Sequence, residues 1–204
     1  MKLSSVLKGV KTKNLIDFDC EINGITKNSK QVEKNCLFFA VKGDNYDGYD
    51  YIDESVKNGA TVIVTDRPHN TSVKQIIVDD VYLAMSKIAF NFYKPKNKRV
   101  KLIGVVGTNG KTTITYILSE ILKCAGLKVG VIGTLGIRYN NCFIAPELTT
   151  PDSIDLAEVL MKMSDSGVDY CIMELSAHGI ALKRAEAFRF EVLTFTNCTQ
   201  DHLD

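Results

Sequence analysis

No apolar run in the sequence approaches the ~20 residues that a membrane-crossing helix requires. The stretch from Met1 to Asn14 has neither a long apolar core nor a small-residue cleavage site, so no signal peptide is read there and a cytoplasmic location is expected. An excess of one charge sign is lacking too. The 25 Lys and Arg balance 24 Asp and Glu to a net +1, which creates no global field for nucleic acid or an anionic membrane surface. Cys20, Cys36, Cys124, Cys142, Cys171 and Cys198 are scattered, with no Cys-x-x-Cys pair and no His at ligand spacing, which argues against a zinc site or a disulfide framework. Repeats and low-complexity tracts are absent. A monomer is the default expectation.

What is present is the mixture of an ordinary globular protein, 45% hydrophobic and 24% charged, in 204 residues that can make one large or two modest domains. The best boundary is Lys94-Pro95-Lys96-Asn97-Lys98-Arg99, a polar, charged, proline-containing stretch between two apolar patterns. It separates residues 1–95 from residues 100–204. In the first part, Cys36 to Val41, Ala60 to Thr65 and Gln75 to Val78 read as strands. Tyr51 to Asn58 and Val81 to Tyr93 read as helices, giving a small α/β domain. In the second, Lys101 to Val106, Lys128 to Ile132, Tyr170 to Met173 and Val192 to Thr196 read as strands. Between them, Lys111 to Ala125 reads as a helix with Ile114, Ile117, Leu118, Ile121, Leu122 and Ala125 on one face. Asp152 to Ser166 reads as another helix, capped by Asp152 or Ser153. Apolar strands alternating with helices imply a parallel sheet covered on both faces, so the fold class is α/β throughout.

The strongest chemical signal is Gly107-Thr108-Asn109-Gly110-Lys111-Thr112-Thr113 between a buried strand and an amphipathic helix, the context of a phosphate loop. Glycines let the backbone approach phosphate oxygens, and the helix start supplies N–H groups and a positive dipole end. Lys111 can reach the β- and γ-phosphates, and the Thr112 hydroxyl can ligate Mg²⁺. The position five before Gly110 is Val105, so this is a short Gly-x-x-Gly-Lys-Thr loop. A Gly-rich turn that merely joined strand to helix would need neither the Lys nor the Thr pair. Glu174 ends a buried strand, where a parallel sheet places its ligand site, and is positioned like the metal-binding acid that accompanies a phosphate loop. His178 taken alone reads as an ordinary histidine. Four residues after Glu174 it becomes a candidate second metal ligand. Arg184 could grip a carboxylate or phosphate through its forked donors.

These residues, with Leu148-Thr149-Thr150-Pro151, Met173 to Gly179, Thr196-Asn197 and Asp201-His202-Leu203-Asp204, resemble the Mur ligase family. In the first domain Ile25 to Lys30, Cys36 to Gly43 and Asp47 to Ile52 are similar to the family's uridine-nucleotide domain, and in order and spacing the whole set is most similar to the MurE branch. The MurF branch and folylpolyglutamate synthases are the neighbouring alternatives. From another class, a non-catalytic nucleotide-binding module is the rival.

The resemblance implies a uridine-nucleotide-binding domain over 1–95 and a central ATP-binding domain over 100–204. It implies that Ser29 and Lys27 bind the UDP part of the substrate and that Asp44, Asn45 and Tyr46 form a loop against the uracil. Thr149, Thr150, Ser176 and Arg184 would contact the muramoyl-peptide, and Thr112, Glu174 and His178 would hold Mg²⁺. The sequence departs from the family at Asn28 and Lys30 around Ser29, at Ala177 before His178, and at Leu182, where some members carry a Gln. The implied activity is ATP-dependent amide-bond formation in cell-wall synthesis. It adds a third amino acid, meso-diaminopimelate or L-lysine, to UDP-MurNAc-L-Ala-D-Glu with release of ADP and phosphate. Family members continue beyond the position of Asp204 with a lysine that becomes carbamylated, further strands and a C-terminal domain that selects the amino acid. The chain by itself is therefore expected to lack ligase activity.

Overall fold

The computed structural model describes residues 1–43, 46–94 and 100–199. Asp44, Asn45, the stretch 95–99 and the Asp201-His202-Leu203-Asp204 signature lie outside the described residues. The chain divides into two compact units, Met1–Phe92 and Tyr93–Asp204.

The first unit begins with α1 (Leu3–Val6) and β1 (Gly24–Thr26). A 3₁₀ turn over Ser29–Gln31 follows, then β2 (Cys36–Phe39), a 3₁₀ turn over Gly48–Tyr51, α2 (Ile52–Asn58), β3 (Ala60–Thr65), β4 (Lys74–Ile77) and α3 (Val81–Phe92). Its strands pair in sequence order, β1-β2-β3-β4, and every pairing is parallel. The strand Cys36–Phe39 is buried along its whole length, as a parallel strand covered on both faces must be. Phe38, Ile52 and Ile63 meet in the core with Val32, Cys36, Ala40 and Ala60.

The second unit contains β5 (Lys101–Val106), α4 (Lys111–Cys124), β6 (Val129–Gly133), β7 (Gly136–Tyr139) and β8 (Cys142–Ile144). It continues through α5 (Ser153–Asp165), β9 (Tyr170–Leu175), α6 (Ala177–Ala181) and β10 (Phe190–Phe195). The sheet order is β10-β5-β9-β6-β7-β8. The first four of these strands are parallel, and β7 and β8 extend the sheet as an antiparallel hairpin. The parallel strands and the long helices match the sequence reading. The hairpin is not legible in the sequence, because its two strands are only four and three residues long and carry too few positions for a clear period.

Ile114, Leu118 and Leu122 of α4 pack on Ile103, Val105, Val129 and Ile172 of the sheet. Gly130 points to the other face, where a Cβ would lie 2.8 Å from the Met163 sulfur of α5, so helices cover both faces. The apolar face of α4 is narrower than the sequence reading made it. Ile117 is 55% and Ile121 58% exposed, while Thr115 and Ser119 are fully buried. The α4 surface that meets the sheet is centred on the 114–118–122 row, so neighbouring apolar positions point outward. Asp152 caps α5 by accepting from the Ile154 backbone N–H, the arrangement expected of an N-cap aspartate.

Cys171 is fully buried in β9 and Cys36 in β2, and burial pushes both thiols above their ordinary value. Cys124 and Cys198 are exposed. A thiol reagent at neutral pH is therefore expected to label Cys124 and Cys198 in the folded protein. Cys36 and Cys171 should react only after denaturant is added, as read by mass spectrometry of the labelled peptides. Labelling of Cys171 without denaturant would contradict the placement of β9 in the centre of the sheet.

Candidate functional site: the carboxyl edge of the second sheet

The carboxyl ends of β5, β6, β9 and β10 lie side by side. Val106 pairs with Leu175 and with Phe195, and Ile132 pairs with Met173, which brings Gly133 alongside Glu174. In an open parallel sheet, this edge is where ligands bind.

The loop from Gly107 to Gly110 turns the chain from β5 into α4. Gly107 has φ +141° and Gly110 φ +84°, conformations that a side chain would strain. The loop is tied to the end of β10. Thr196 Oγ1 and Asn197 Nδ2 donate to the Asn109 carbonyl at 2.7 and 3.1 Å, and the Asn109 N–H donates to Asn197 Oδ1 at 3.1 Å. The Thr108 N–H donates to the Asn197 carbonyl at 3.1 Å. A Cβ on Gly107 would stand 2.1 Å from Thr196 Oγ1. Lys111 Nζ donates to the carbonyls of Gly107 and Thr108 at 2.6 and 3.0 Å, so its ammonium sits inside the loop. The sequence reading marked Thr196 and Asn197 as part of the family pattern without giving them a task. Their position after an edge strand, level with the loop, makes them its brace.

Glu174 is 1% exposed, and three donors converge on its carboxylate. The Thr112 hydroxyl reaches Oε2 at 3.0 Å. The Thr134 backbone N–H reaches Oε1 at 3.2 Å and its hydroxyl reaches Oε2 at 3.1 Å. A buried charge survives only with such partners. Gly133 has no side chain because the carboxylate occupies that space: a Cβ there would lie 2.1 Å from Glu174 Oε1. Thr134 is not among the candidate residues legible in the sequence. Its signal, a Gly-Thr pair at the end of a buried strand, acquires meaning only when β6 and β9 are known to be neighbours.

The other predicted positions fall into two groups. Thr149 is half-buried with its hydroxyl 3.2 Å from that of Thr134. Thr150 is fully buried. Its hydroxyl donates to the Glu174 carbonyl and accepts from the Ser176 N–H, each at 2.9 Å. Arg184, 7% exposed, donates from Nη1 to the Thr150 carbonyl at 2.9 Å. Ser176 caps α6 by accepting from the Gly179 N–H at 3.0 Å. Thr150, Ser176 and Arg184 thus brace one another beneath the edge, and Thr149 is the more accessible member of the pair. His178 is exposed on α6, and among the described residues no hydrogen bond joins its ring to Glu174 or Thr112. No group of three or more His, Cys, Asp or Glu side chains gathers as a metal cage among the described residues. Glu174 and Thr112 are both hard oxygen ligands, and their 3.0 Å separation fits shared contact with Mg²⁺.

In the first unit, Ser29 is buried and its hydroxyl donates to Glu54 Oε2 of α2 at 2.7 Å, while Lys27 is exposed at the end of β1. Tyr46 is 71% exposed, and its carbonyl accepts from the Gly43 N–H at 2.8 Å. Just beyond it, Asp47 accepts from the Tyr49 N–H and from Arg67, each at 3.0 Å. The Tyr49 N–H, with the Arg67 guanidinium behind it, holds the Asp47 carboxyl below its ordinary value.

A mainly parallel α/β sheet with a Gly-x-x-Gly-Lys-Thr loop, and an acid on the adjacent strand bonded to the loop threonine, has the architecture of the phosphate-loop nucleotide-binding class. Comparison with known proteins goes further. Residues 21–111 match the Mur ligase family catalytic domain and residues 105–204 the Mur ligase middle domain. The UDP-N-acetylmuramoyl-L-alanyl-D-glutamate–2,6-diaminopimelate ligase of Caldanaerobacter subterraneus subsp. tengcongensis is 41% identical over 206 residues, covering 100% of this chain and 43% of the relative. The enzyme of the same name from Aquifex aeolicus is 40% identical over 204 residues, covering 100% of this chain and 40% of the relative. Among solved structures, one ligase of that name aligns with a TM-score of 0.81 at 23% identity, over 93% of this chain and 40% of that one. A MurF ligase from Thermotoga maritima in complex with ADP aligns with a TM-score of 0.57 at 25% identity, over 85% of this chain and 37% of that one. The chain belongs to the Mur ligase family. It spans about two fifths of the length of the relatives it matches.

Replacing Gly133 with Ala forces a methyl group into the Glu174 carboxylate. Gly133→Ala is expected to lower stability by about 1–3 kcal/mol, the usual range for overpacking, and to weaken Mg²⁺-dependent nucleotide binding. Urea unfolding and calorimetry with and without Mg²⁺ check the two effects. Unchanged Mg²⁺ dependence would show that the carboxylate need not sit where it does.

Proposed function

We propose that this chain carries the uridine-nucleotide and ATP sites of a cytoplasmic ligase that extends UDP-MurNAc-L-Ala-D-Glu by a diamino acid, the 2,6-diaminopimelate of its relatives' names. The observation that carries the reading is the 3.0 Å contact between Thr112 of the phosphate loop and the buried carboxylate of Glu174. It joins the loop that follows β5 to a buried carboxylate on the neighbouring strand β9, the arrangement expected of a phosphate-binding backbone beside a cation-binding acid.

The chemistry is phosphoryl transfer followed by acyl transfer. A carboxylate oxygen of the D-Glu side chain attacks the γ-phosphorus of ATP, the bond to the β-bridging oxygen breaks, and ADP leaves. The amine then attacks the acyl carbon, phosphate departs with the C–O electron pair, and the amine loses a proton. The protein's part is positioning and charge neutralisation. The N–H groups at the start of α4 face the phosphates, and Lys111 is placed to turn its ammonium from the loop carbonyls to phosphate oxygens. Thr112 and Glu174, with His178 as a further candidate, would hold Mg²⁺, which supplies positive charge against the phosphates. Thr149, whose hydroxyl lies 3.2 Å from that of Thr134, is suited to contact the acceptor substrate, with Thr150, Ser176 and Arg184 as further candidates. Residues 1–95 bind the uridine end through Lys27, Ser29 and the Asp44-Asn45-Tyr46 loop. Ser29 gives its proton to Glu54 and so offers a ligand its oxygen as an acceptor. A monomer suffices for this scheme.

Lys111→Ala is expected to weaken Mg-ATP binding by at least ~10-fold, since charge-assisted hydrogen bonds contribute about 1.5–3 kcal/mol. Equal affinity by calorimetry would remove the phosphate-loop reading. Separately, NMR shift perturbation by UDP-MurNAc-L-Ala-D-Glu in the absence of ATP is expected to include residues within 1–95, Ser29 and Tyr46 among them. Shifts confined to residues beyond 100 would contradict the division of labour between the two parts.

A further inference from the structure

We propose that Thr149, Thr134 and Glu174 form a one-way hydrogen-bond relay that leaves the Thr149 oxygen as an acceptor, so that this corner of the site selects a peptide N–H of the substrate and not a carboxylate or phosphate oxygen. The inference rests on Thr149 being a substrate contact in the function proposed above.

Proton counting fixes the direction. Glu174 is buried and takes hydrogen bonds from the Thr112 hydroxyl, the Thr134 N–H and the Thr134 hydroxyl. A carboxylate receiving three donors has only acceptors to offer. The one proton of the Thr134 hydroxyl therefore points to Glu174, across 3.1 Å. The contact of 3.2 Å between Thr134 Oγ1 and Thr149 Oγ1 can then be a hydrogen bond only if Thr149 is the donor. With its proton spent on Thr134, Thr149 presents oxygen lone pairs. An incoming N–H completes the chain, whereas an anionic oxygen would meet lone pair against lone pair. The buried charge at the end polarises both hydroxyls and holds the order.

Thr134 is the positioning residue of this relay. Its backbone N–H and its hydroxyl grip different oxygens of the same carboxylate, so its hydroxyl cannot turn toward Thr149 as a donor without taking its proton from Oε2 of the buried carboxylate. Its place is set by Gly133, whose missing side chain admits the carboxylate. The relay also links the substrate corner to the acid that stands beside the phosphate loop. Occupancy at Thr149 is felt at Glu174 through two hydrogen bonds.

The test measures binding of UDP-MurNAc-L-Ala-D-Glu and of two analogues in which an ester oxygen replaces, in turn, each peptide N–H of the L-Ala and D-Glu residues. Calorimetry compares the wild type with Thr134→Val, Thr134→Ser and Thr149→Val. One of the two esters is expected to bind the wild type about 3- to 10-fold more weakly than the amide, the span of a single hydrogen bond. That penalty should fall below about 2-fold in Thr134→Val and Thr149→Val and return in Thr134→Ser, which retains the hydroxyl and guards against a folding defect in the valine variant. A penalty that persists undiminished in Thr134→Val, or its absence in the wild type for both esters, would overturn the relay. Failure of the unmodified substrate to bind the wild type at all would instead overturn the proposed function, and the relay with it.

Discussion

The carboxylate of Glu174 is buried at the ends of three strands, and the surrounding chain is arranged so that it can be. An ion removed from water costs several kcal/mol unless donors replace the lost solvent. Here the replacements come from two separate elements, the start of α4 and the residue that follows β6. Each must arrive at the right height along the sheet. The register that sets Gly133 beside Glu174 and the absence of a side chain at Gly133 are conditions for the same charge.

The loop from Gly107 to Gly110 depends on a second set of constraints. Its glycines let it turn sharply, but a loop free to turn is also free to move. Thr196 and Asn197, at the end of β10, hold the Asn109 peptide from both its carbonyl and its N–H. The edge strand therefore shapes the loop from one side while β9 presents the acid on the other. Beneath them, Thr150 joins the strand end at Glu174 to the N–H that opens α6, and Arg184 closes over the Thr150 carbonyl. The Thr150 hydroxyl and carbonyl each have a partner within this group, which stiffens the edge on which the accessible side chains stand.

The two units use polar groups differently. In the second, the important charge is internal and the donors are hydroxyls and backbone N–H groups. In the first, the polar cluster lies near the surface. Asp47, Arg67, Tyr49 and His69 are linked by an ion pair, a guanidinium stacked 4.0 Å above the Tyr49 ring and an edge-on ring contact at 4.8 Å. Pairs of this kind near water each contribute little to stability, and together they fix the shape of the chain that follows Tyr46.

What the sequence determined by itself was whatever depends on neighbours along the chain. The continuous apolar runs gave the parallel strands, the 3.6-residue period gave α3, α4 and α5, and the glycines of the Gly-Thr-Asn-Gly-Lys-Thr run gave the turn from β5 into α4. Each of these is a local preference of backbone and side chain. The position of Glu174 near the end of a buried strand was legible for the same reason. Tertiary structure alone decided which strand lies next to which, because pairing joins segments far apart in sequence and no local period records it. The placement of β9 between β5 and β6 puts Glu174 in reach of Thr112, 62 residues away, and of Thr134, 40 residues away. It also turned Thr150 and Arg184 inward as braces, gave Ser29 its partner Glu54, and left Ile117 and Ile121 on the outer side of α4. Residue type tells which atoms can donate or accept; only the packed sheet brings the donor to the acceptor.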